Sequence, residues 1–237
     1  NSDWPSVYIA KYGVRTDNVT LKYTYILAPV GNLTPAATNR YCISTDNNTG
    51  EGAGSIIGTG HVFSRVFCDG GTQHWFVRNS EAPVIEYSAS DRITGNSANH
   101  GENINLYYNG DNSVIRYNKF RNSFMGQGST PAGGGTAIMA ISWTNGHQIY
   151  GNIVYNYQVG NGVIGFGRND CSNCKIYNNT FANSTYGASG IPLNGGSNNY
   201  VYNNLWINTN TPTIAGATHD YNGFSGSASL GEANQQL

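Results

Sequence analysis

A residue pattern repeated four times, a scarcity of charge, and short runs rich in β-branched and aromatic residues together predict one fold class. That class is all-β: a right-handed parallel β-helix, a solenoid with about three short strands per coil and asparagine-bearing turns. The repeat reads apolar-x-x-Asn-x-apolar-x-Asn and occupies residues 115–122, 149–156, 176–183 and 201–208. Its first asparagines, Asn118, Asn152, Asn179 and Asn204, recur after 34, 27 and 25 positions. Tyr221-Asn222-Gly223-Phe224 looks like a fifth, partial copy.

Composition supports the same class. Charged residues make up 11% of the 237, against about 25% in an average globular chain. Glycine (31) and asparagine (33) dominate, and both are poor helix formers suited to tight turns. Hydrophobic residues still reach 38%, with 17 Tyr and 8 Phe, which excludes a disordered polar chain. The length suits a single β-helix domain over residues 1–237. Within it, 1–83 reads as less regular N-terminal coils and 84–234 as regular rungs.

Each copy of the repeat holds two strands too short to stand alone, joined at a corner. Asparagine tolerates left-handed backbone geometry and bonds its own backbone, so it suits that corner. Stacked on its equivalent one coil away, its amide forms a ladder. The four first asparagines are therefore expected in one column, with the apolar neighbours filling the coil interior. The third strand of each coil is expected near 104–108, 138–143, 163–166 and 191–193. Neither terminus offers an amphipathic capping segment, so the C-terminal cap is expected to be missing. Unpaired strand edges at open coil ends pair with other chains, which makes end-to-end self-assembly or a homo-oligomer an expected partner mode.

Net charge is −1 and no Lys/Arg run exists, which argues against nucleic acid as a partner. No apolar run approaches the ~20 residues of a membrane span. Four cysteines, an even number, fit two disulfides, Cys42–Cys68 and Cys171–Cys174, in an oxidising compartment. Cys-Ser-Asn-Cys at 171–174 also matches half a zinc site, but finger-like spacing supplies no second half, so no metal is expected. The five Asn-x-Ser/Thr sequons carry little weight in so Asn-rich a chain. A secreted or cell-surface location is expected.

The stretch Asp111-Asn-Ser-Val-Ile-Arg-Tyr-Asn-Lys-Phe120 resembles the rung signature of secreted right-handed β-helix repeat proteins, the pectate-lyase-like superfamily. The tail from His219 to Glu232 resembles a late segment of that group, and the likeness covers roughly residues 84–234. It implies action on an acidic polysaccharide by lyase or hydrolase chemistry. A lyase needs a base, plus Ca²⁺ or arginine against the substrate carboxylate. A hydrolase of this fold needs carboxylates on adjacent rungs. The 13 acidic residues are scattered, with no cluster at rung spacing, and the motifs of pectate lyases, polygalacturonases and alginate epimerases are missing. No cofactor is expected, calcium being the one ion the lyase chemistry admits.

The densest chemistry lies at 99–107. His100 as base and Tyr107 as acid, with Glu102 between them, form the candidate catalytic set. Asn105, Arg92 and Arg168 form the candidate substrate-binding set. Alternation puts Ile104 and Leu106 inward, and Asn103, Asn105 and Tyr107 outward. The rival reading is that His100 and Glu102 cap a turn or satisfy buried backbone groups. A second set is His61, Arg65, His74 and Arg78, where the rival is ordinary solvated charge. Tyr117, Tyr150, Tyr177 and Tyr202 recur with the repeat, so they are expected to stack along the helix. Two functions follow. One is an extracellular polysaccharide-interacting protein, with or without cleavage; the other is a non-catalytic adhesin or filament subunit.

Overall fold

The computed structural model describes residues 7–9, 15–27, 41–45, 58–95, 101–125, 139–142, 144–161, 163–166, 171–188, 190–193, 196–210, 212–227 and 230–234. Among them the chain is all-β with no helix, and hence no helix long and apolar enough to cross a membrane. Its two large sheets have six and 15 strands, and neighbours pair in parallel, one coil against the next. The result is a solenoid-like parallel fold.

Three strand positions recur. The first comprises Tyr41–Ser44, Gln73–Arg78, Glu102–Tyr107, Met139–Ser142 and Ile164–Phe166 in one sheet. Ile191–Pro192 continues this position in a small sheet of its own. The expected third strands thus fall within a residue or two of their anticipated bounds; Ile138 and Trp143 lie outside the described residues. The second position holds Val84–Glu86, Val114–Arg116, Gln148–Tyr150, Lys175–Tyr177, Tyr200–Tyr202 and Thr218–Asp220. The third holds Ala89–Asp91, Lys119–Met125, Ile153–Asn161, Thr180–Ala188, Leu205–Thr209 and Gly223–Ser225. Val62–Asp69 spans both positions, pairing with Val84–Glu86 and with Ala89–Asp91, so the two share one bent sheet.

Register makes the core. Ile85, Ile115, Ile149, Ile176 and Val201 stack in register, fully buried. So do Phe120, Val154, Phe181 and Trp206, with Phe224 closing the column. Phe181, Trp206 and Phe224 stack at 5.2 and 5.4 Å between ring centroids. Burying each such side chain contributes about 1.5–3 kcal/mol, which is what strands three residues long need.

At the corner between the second and third positions the asparagines run as a column. The Nδ2 of Asn118 donates to Asn152 Oδ1 at 3.0 Å, Asn152 to Asn179 at 2.9 Å, Asn179 to Asn204 at 3.0 Å, and Asn204 to Asn222 at 3.2 Å. Each accepting oxygen also takes the backbone N–H of the same donor residue. Upstream, Ser88 N donates to Asn118 Oδ1, and Val66 N donates to the Ser88 hydroxyl. Downstream, the Glu232 carboxylate accepts from Asn222 N and Nδ2 at 3.0 and 2.8 Å, in the role of one more asparagine.

The left-handed residue is not the ladder asparagine but the one before it: Tyr117, Gly151, Asn178, Asn203 and Tyr221 have φ between 54° and 66°, and Tyr23, Arg65 and Tyr87, at the same corner of earlier coils that carry no asparagine there, have φ between 50° and 56°. The repeat's second asparagines, Asn122, Asn156, Asn183 and Asn208, are also left-handed, at 47–54°. Asparagine therefore serves two ends here, an inward amide ladder at one position and an outward left-handed turn at the other.

Candidate functional site

Of the candidate catalytic set, Glu102 and Tyr107 are among the described residues. His100 and Arg168 lie outside the described residues. Glu102 is fully buried and accepts a 2.6 Å hydrogen bond from Gln73 Nε2, one coil back. Asn103, expected outward, is also fully buried, its amide oxygen against the Ser90 hydroxyl. Alternation begins only at Ile104 because Glu102 and Asn103 open the strand and turn into the coil. Tyr107 is half-buried, edge-on to Tyr108 at 4.3 Å, with the Arg78 guanidinium 5.6 Å above its ring. Asn105 is half-buried, and its Oδ1 has no hydrogen-bond partner among the described residues. Glu102 and Tyr107 thus point to different sides of the strand.

Arg92 belongs elsewhere. It holds the Asp69 carboxylate through Nε and Nη2, both at 2.6 Å. Asp69 and Asp91 face each other in register on adjacent coils, so two carboxylates do meet at rung spacing, contrary to expectation. Arginines neutralise both: Arg121 Nε lies 2.8 Å from Asp91, and Asn122 donates to it at 2.7 Å. The Arg92 bond, aided by the Tyr25 hydroxyl at 3.1 Å, holds the Asp69 carboxyl below its usual range against the effect of burial. A carboxylate so engaged is a poor general acid.

The second set divides too. His61 and His74 are buried, not solvated, and burial lowers the pKa of both, that of His74 to about 4. Arg78 is buried over Tyr107 and Tyr108. Arg65 alone of the four is exposed, and it forms no ion pair among the described residues.

Arg65 belongs to a feature that extends beyond the recognised repeat. Its guanidinium lies between the rings of Tyr23 and Tyr87, 5.3 Å from each. Tyr87 stacks on Tyr117 at 5.2 Å, and Tyr117 meets Tyr150 edge-on at 5.5 Å. Tyr150, Tyr177 and Tyr202 follow, stacked at 4.8 and 5.2 Å and tilted by no more than 6°. The hand-over from the corner column to the strand column occurs where the chain has Gly151: φ is 66°, and a Cβ there would run into the Tyr117 ring. Arg116 ties the far side, bonding Glu86 at 2.6 Å and the Tyr150 hydroxyl at 3.0 Å. Seven side chains on seven successive coils make a continuous outward stripe, roughly 29 Å long at ~4.8 Å per coil. Four of its tyrosines were legible as stacking partners from the repeat. Tyr23, Arg65 and Tyr87 were not, because their coils lack the asparagine that marks the corner.

Among the described residues one group of three could hold a metal ion: His147, Cys171 and Cys174, all buried. Cys171 and Cys174 are bridged. Cys42 and Cys68 are not; they face each other as buried thiols, and burial raises the Cys68 pKa well above its ordinary value, with a Cys42 hydrogen bond adding to it. The expected second disulfide is therefore not present in this structure. No protein-family model matches the chain, and no curated protein is significantly similar to it, so its function is read from the site alone.

Proposed function

We propose that the chain is an extracellular right-handed parallel β-helix that binds an extended polysaccharide along the arginine–tyrosine stripe. The stripe is the observation that carries this reading. Polysaccharides are long, repetitive and amphipathic, and a row of phenol hydroxyls about one strand apart, beside half-exposed rings, matches all three properties. Tyr23, Tyr87 and Tyr117 are 76, 50 and 47% exposed, so they offer ring surface as well as hydroxyls. Arg65 adds a cation between two rings, without an ion-pair partner among the described residues and suited to a uronate carboxylate.

Handedness follows from the rule that parallel strand–crossover–strand units are right-handed in about 98% of cases. The Cys171–Cys174 bridge supports an extracellular location. The resemblance of the rung signature to secreted pectate-lyase-like proteins points the same way. Binding rather than cleavage is the better-supported activity. Glu102 is buried away from Tyr107, and Asp69 and Asp91 are both held by arginine.

Affinity electrophoresis through polygalacturonate and through a neutral glucan tests the reading. Retardation by the uronate polymer is expected, weaker by at least about fivefold for Tyr117→Ala, the loss of roughly 1 kcal/mol of stacking. Arg65→Gln should remove the preference for the acidic polymer while sparing the neutral one. Migration unaffected by any polymer would overturn the proposal.

A further inference from the structure

The geometry points to a buried metal site, Cys171, Cys174 and His147, that takes a thiophilic d¹⁰ ion, Zn²⁺ or Cu⁺, when the Cys171–Cys174 bridge is reduced. The donor atoms of the three residues lie within 4.8 Å of one another, and all three side chains are buried. Two thiolates and an imidazole suit these ions, and zinc sites with three protein ligands of this kind are a known coordination class.

The arrangement is built by rung stacking. Gln148 and Lys175 are in register, so the residues before them, His147 and Cys174, sit at equivalent corners of adjacent coils. Lys175 N donates to His147 O at 2.8 Å and fixes that juxtaposition. The next coil holds the cysteine loop from the other side. Asn199 Oδ1 accepts from Cys174 N at 3.0 Å, and its Nδ2 donates to Cys171 O at 2.6 Å. Gly196 packs so tightly on the Cys171 carbonyl that a Cβ there would overlap it. The three donors are thus positioned by coils before and after them.

The imidazole is what separates this from an ordinary buried disulfide. His147 Nε2 lies 2.8 Å from the Thr144 hydroxyl, whereas Nδ1 is buried with no hydrogen-bond partner among the described residues. A buried, unpartnered imidazole nitrogen is costly in a native interior. With the proton on Nε2 and directed at Thr144, Nδ1 presents a lone pair, the arrangement in which an outer hydrogen bond fixes the tautomer of a ligating histidine. A metal ion supplies the partner that Nδ1 lacks.

An external dithiol reduces the Cys171–Cys174 bond, two electrons and two protons giving two thiols while the dithiol becomes a disulfide. Binding of Zn²⁺ then releases two protons as both sulfurs become thiolates, and His147 coordinates neutral. An external disulfide re-oxidises the pair by thiol–disulfide exchange: the Cys171–Cys174 bond re-forms, the ion is released, and the two departing sulfurs take up two protons and leave as thiols. The site is therefore either a bridge or a metal centre according to redox state, which makes ion occupancy a readout of it.

Titration of the purified chain with Zn²⁺ against a chromophoric chelator tests this, before and after reduction. One equivalent is expected to bind to the reduced chain, with two protons released, and none to the oxidised chain. A parallel titration with Cu⁺ under anaerobic conditions distinguishes the two ions. Substitution by Co²⁺ should give a thiolate-to-cobalt charge-transfer band, absent in Cys171→Ser. His147→Gln should weaken binding at least tenfold, and Thr144→Val should weaken it by less while leaving all three ligands in place. A background with Cys42→Ala and Cys68→Ala keeps the other thiols out of the count. Equal zinc uptake by reduced and oxidised chains, or no charge-transfer band in the reduced wild type, would overturn the proposal.

Discussion

Asn179 shows how much one residue carries. Its Oδ1 accepts from Asn152 N and Nδ2, while its own N and Nδ2 reach Asn204 Oδ1 at 3.1 and 3.0 Å. Nδ2 also donates to Ile149 O at 2.9 Å. Alanine would strand donors and acceptors on three coils, and aspartate would replace a donor with a buried charge. Asn179→Ala should lower stability by about 1–3 kcal/mol in denaturant unfolding, and Asn179→Asp by no less. A loss under about 0.5 kcal/mol would refute the ladder's role. His74 has a different signature. It is fully buried against Gly70 O at 2.8 Å, and burial lowers its pKa to about 4, although Asp69 and Asp91 pull it upward. The unfolded value is about 6.5, so the unfolded chain takes up the proton first. Its effect on stability is therefore nil above about pH 6.5, and stability falls by about 1.4 kcal/mol per unit as pH drops toward 4. Urea unfolding at several pH values should show this slope in the wild type and a shallower one in His74→Gln. Equal slopes would mean that His74 does not remain neutral in the fold.

At the scale of elements, strands of three residues persist because each side of the corner is tied to the next coil. Gly151 illustrates how a corner residue also shapes the outer surface. Asn178 and Asn203 occupy the same left-handed corner position on later coils, so Gly151→Asn satisfies the backbone. It does not satisfy the Tyr117 ring, which lies where a Cβ would go. Both Gly151→Ala and Gly151→Asn should break the Tyr117–Tyr150 contact, visible as a change in near-ultraviolet circular dichroism. The alanine variant should lose about 1–3 kcal/mol more, from strain at positive φ. Identical stabilities for the two variants would show that the ring, not the backbone, dominates at this corner. In the core column, Phe181→Ala should cost about 3–5 kcal/mol, since it opens a cavity between Val154 and Trp206.

Across the whole molecule, the asparagine column ends at a carboxylate. Glu232 has a side chain 1% exposed, accepts from Asn222 N and Nδ2, and lies 2.6 Å from His219 Nδ1. It comes from a chain segment that folds back on the last described coil, where Asp220 also accepts from Asn234 Nδ2 at 2.6 Å. Stability in a stacked array is nearly a sum of neighbour terms, so damage at one end should stay local. Glu232→Ala is expected to accelerate amide exchange at least tenfold in the strands Thr218–Asp220 and Gly223–Ser225. Exchange in Val114–Arg116 should be unchanged. A uniform increase along the chain would show that the coils unfold as one unit.

The sequence by itself determined the repeating parallel architecture, the inward apolar columns and which asparagines lie one above another. Each follows from a backbone demand that few residue types satisfy, so Asn118, Asn152, Asn179 and Asn204 announce the corner wherever they recur. Its strand positions were legible for the same reason. What only the tertiary structure decided is which side chains from different coils meet. Asp69 and Asp91 are 22 positions apart and His147 and Cys171 are 24 apart, yet each pair is brought together by register. The Arg65 cation reaches Tyr23 across 42 positions by the same means. Successive ladder contacts span 34, 27, 25 and 18 residues because loops of different length leave each coil. Spacing along the chain therefore carries no fixed relation to proximity until the strands are paired.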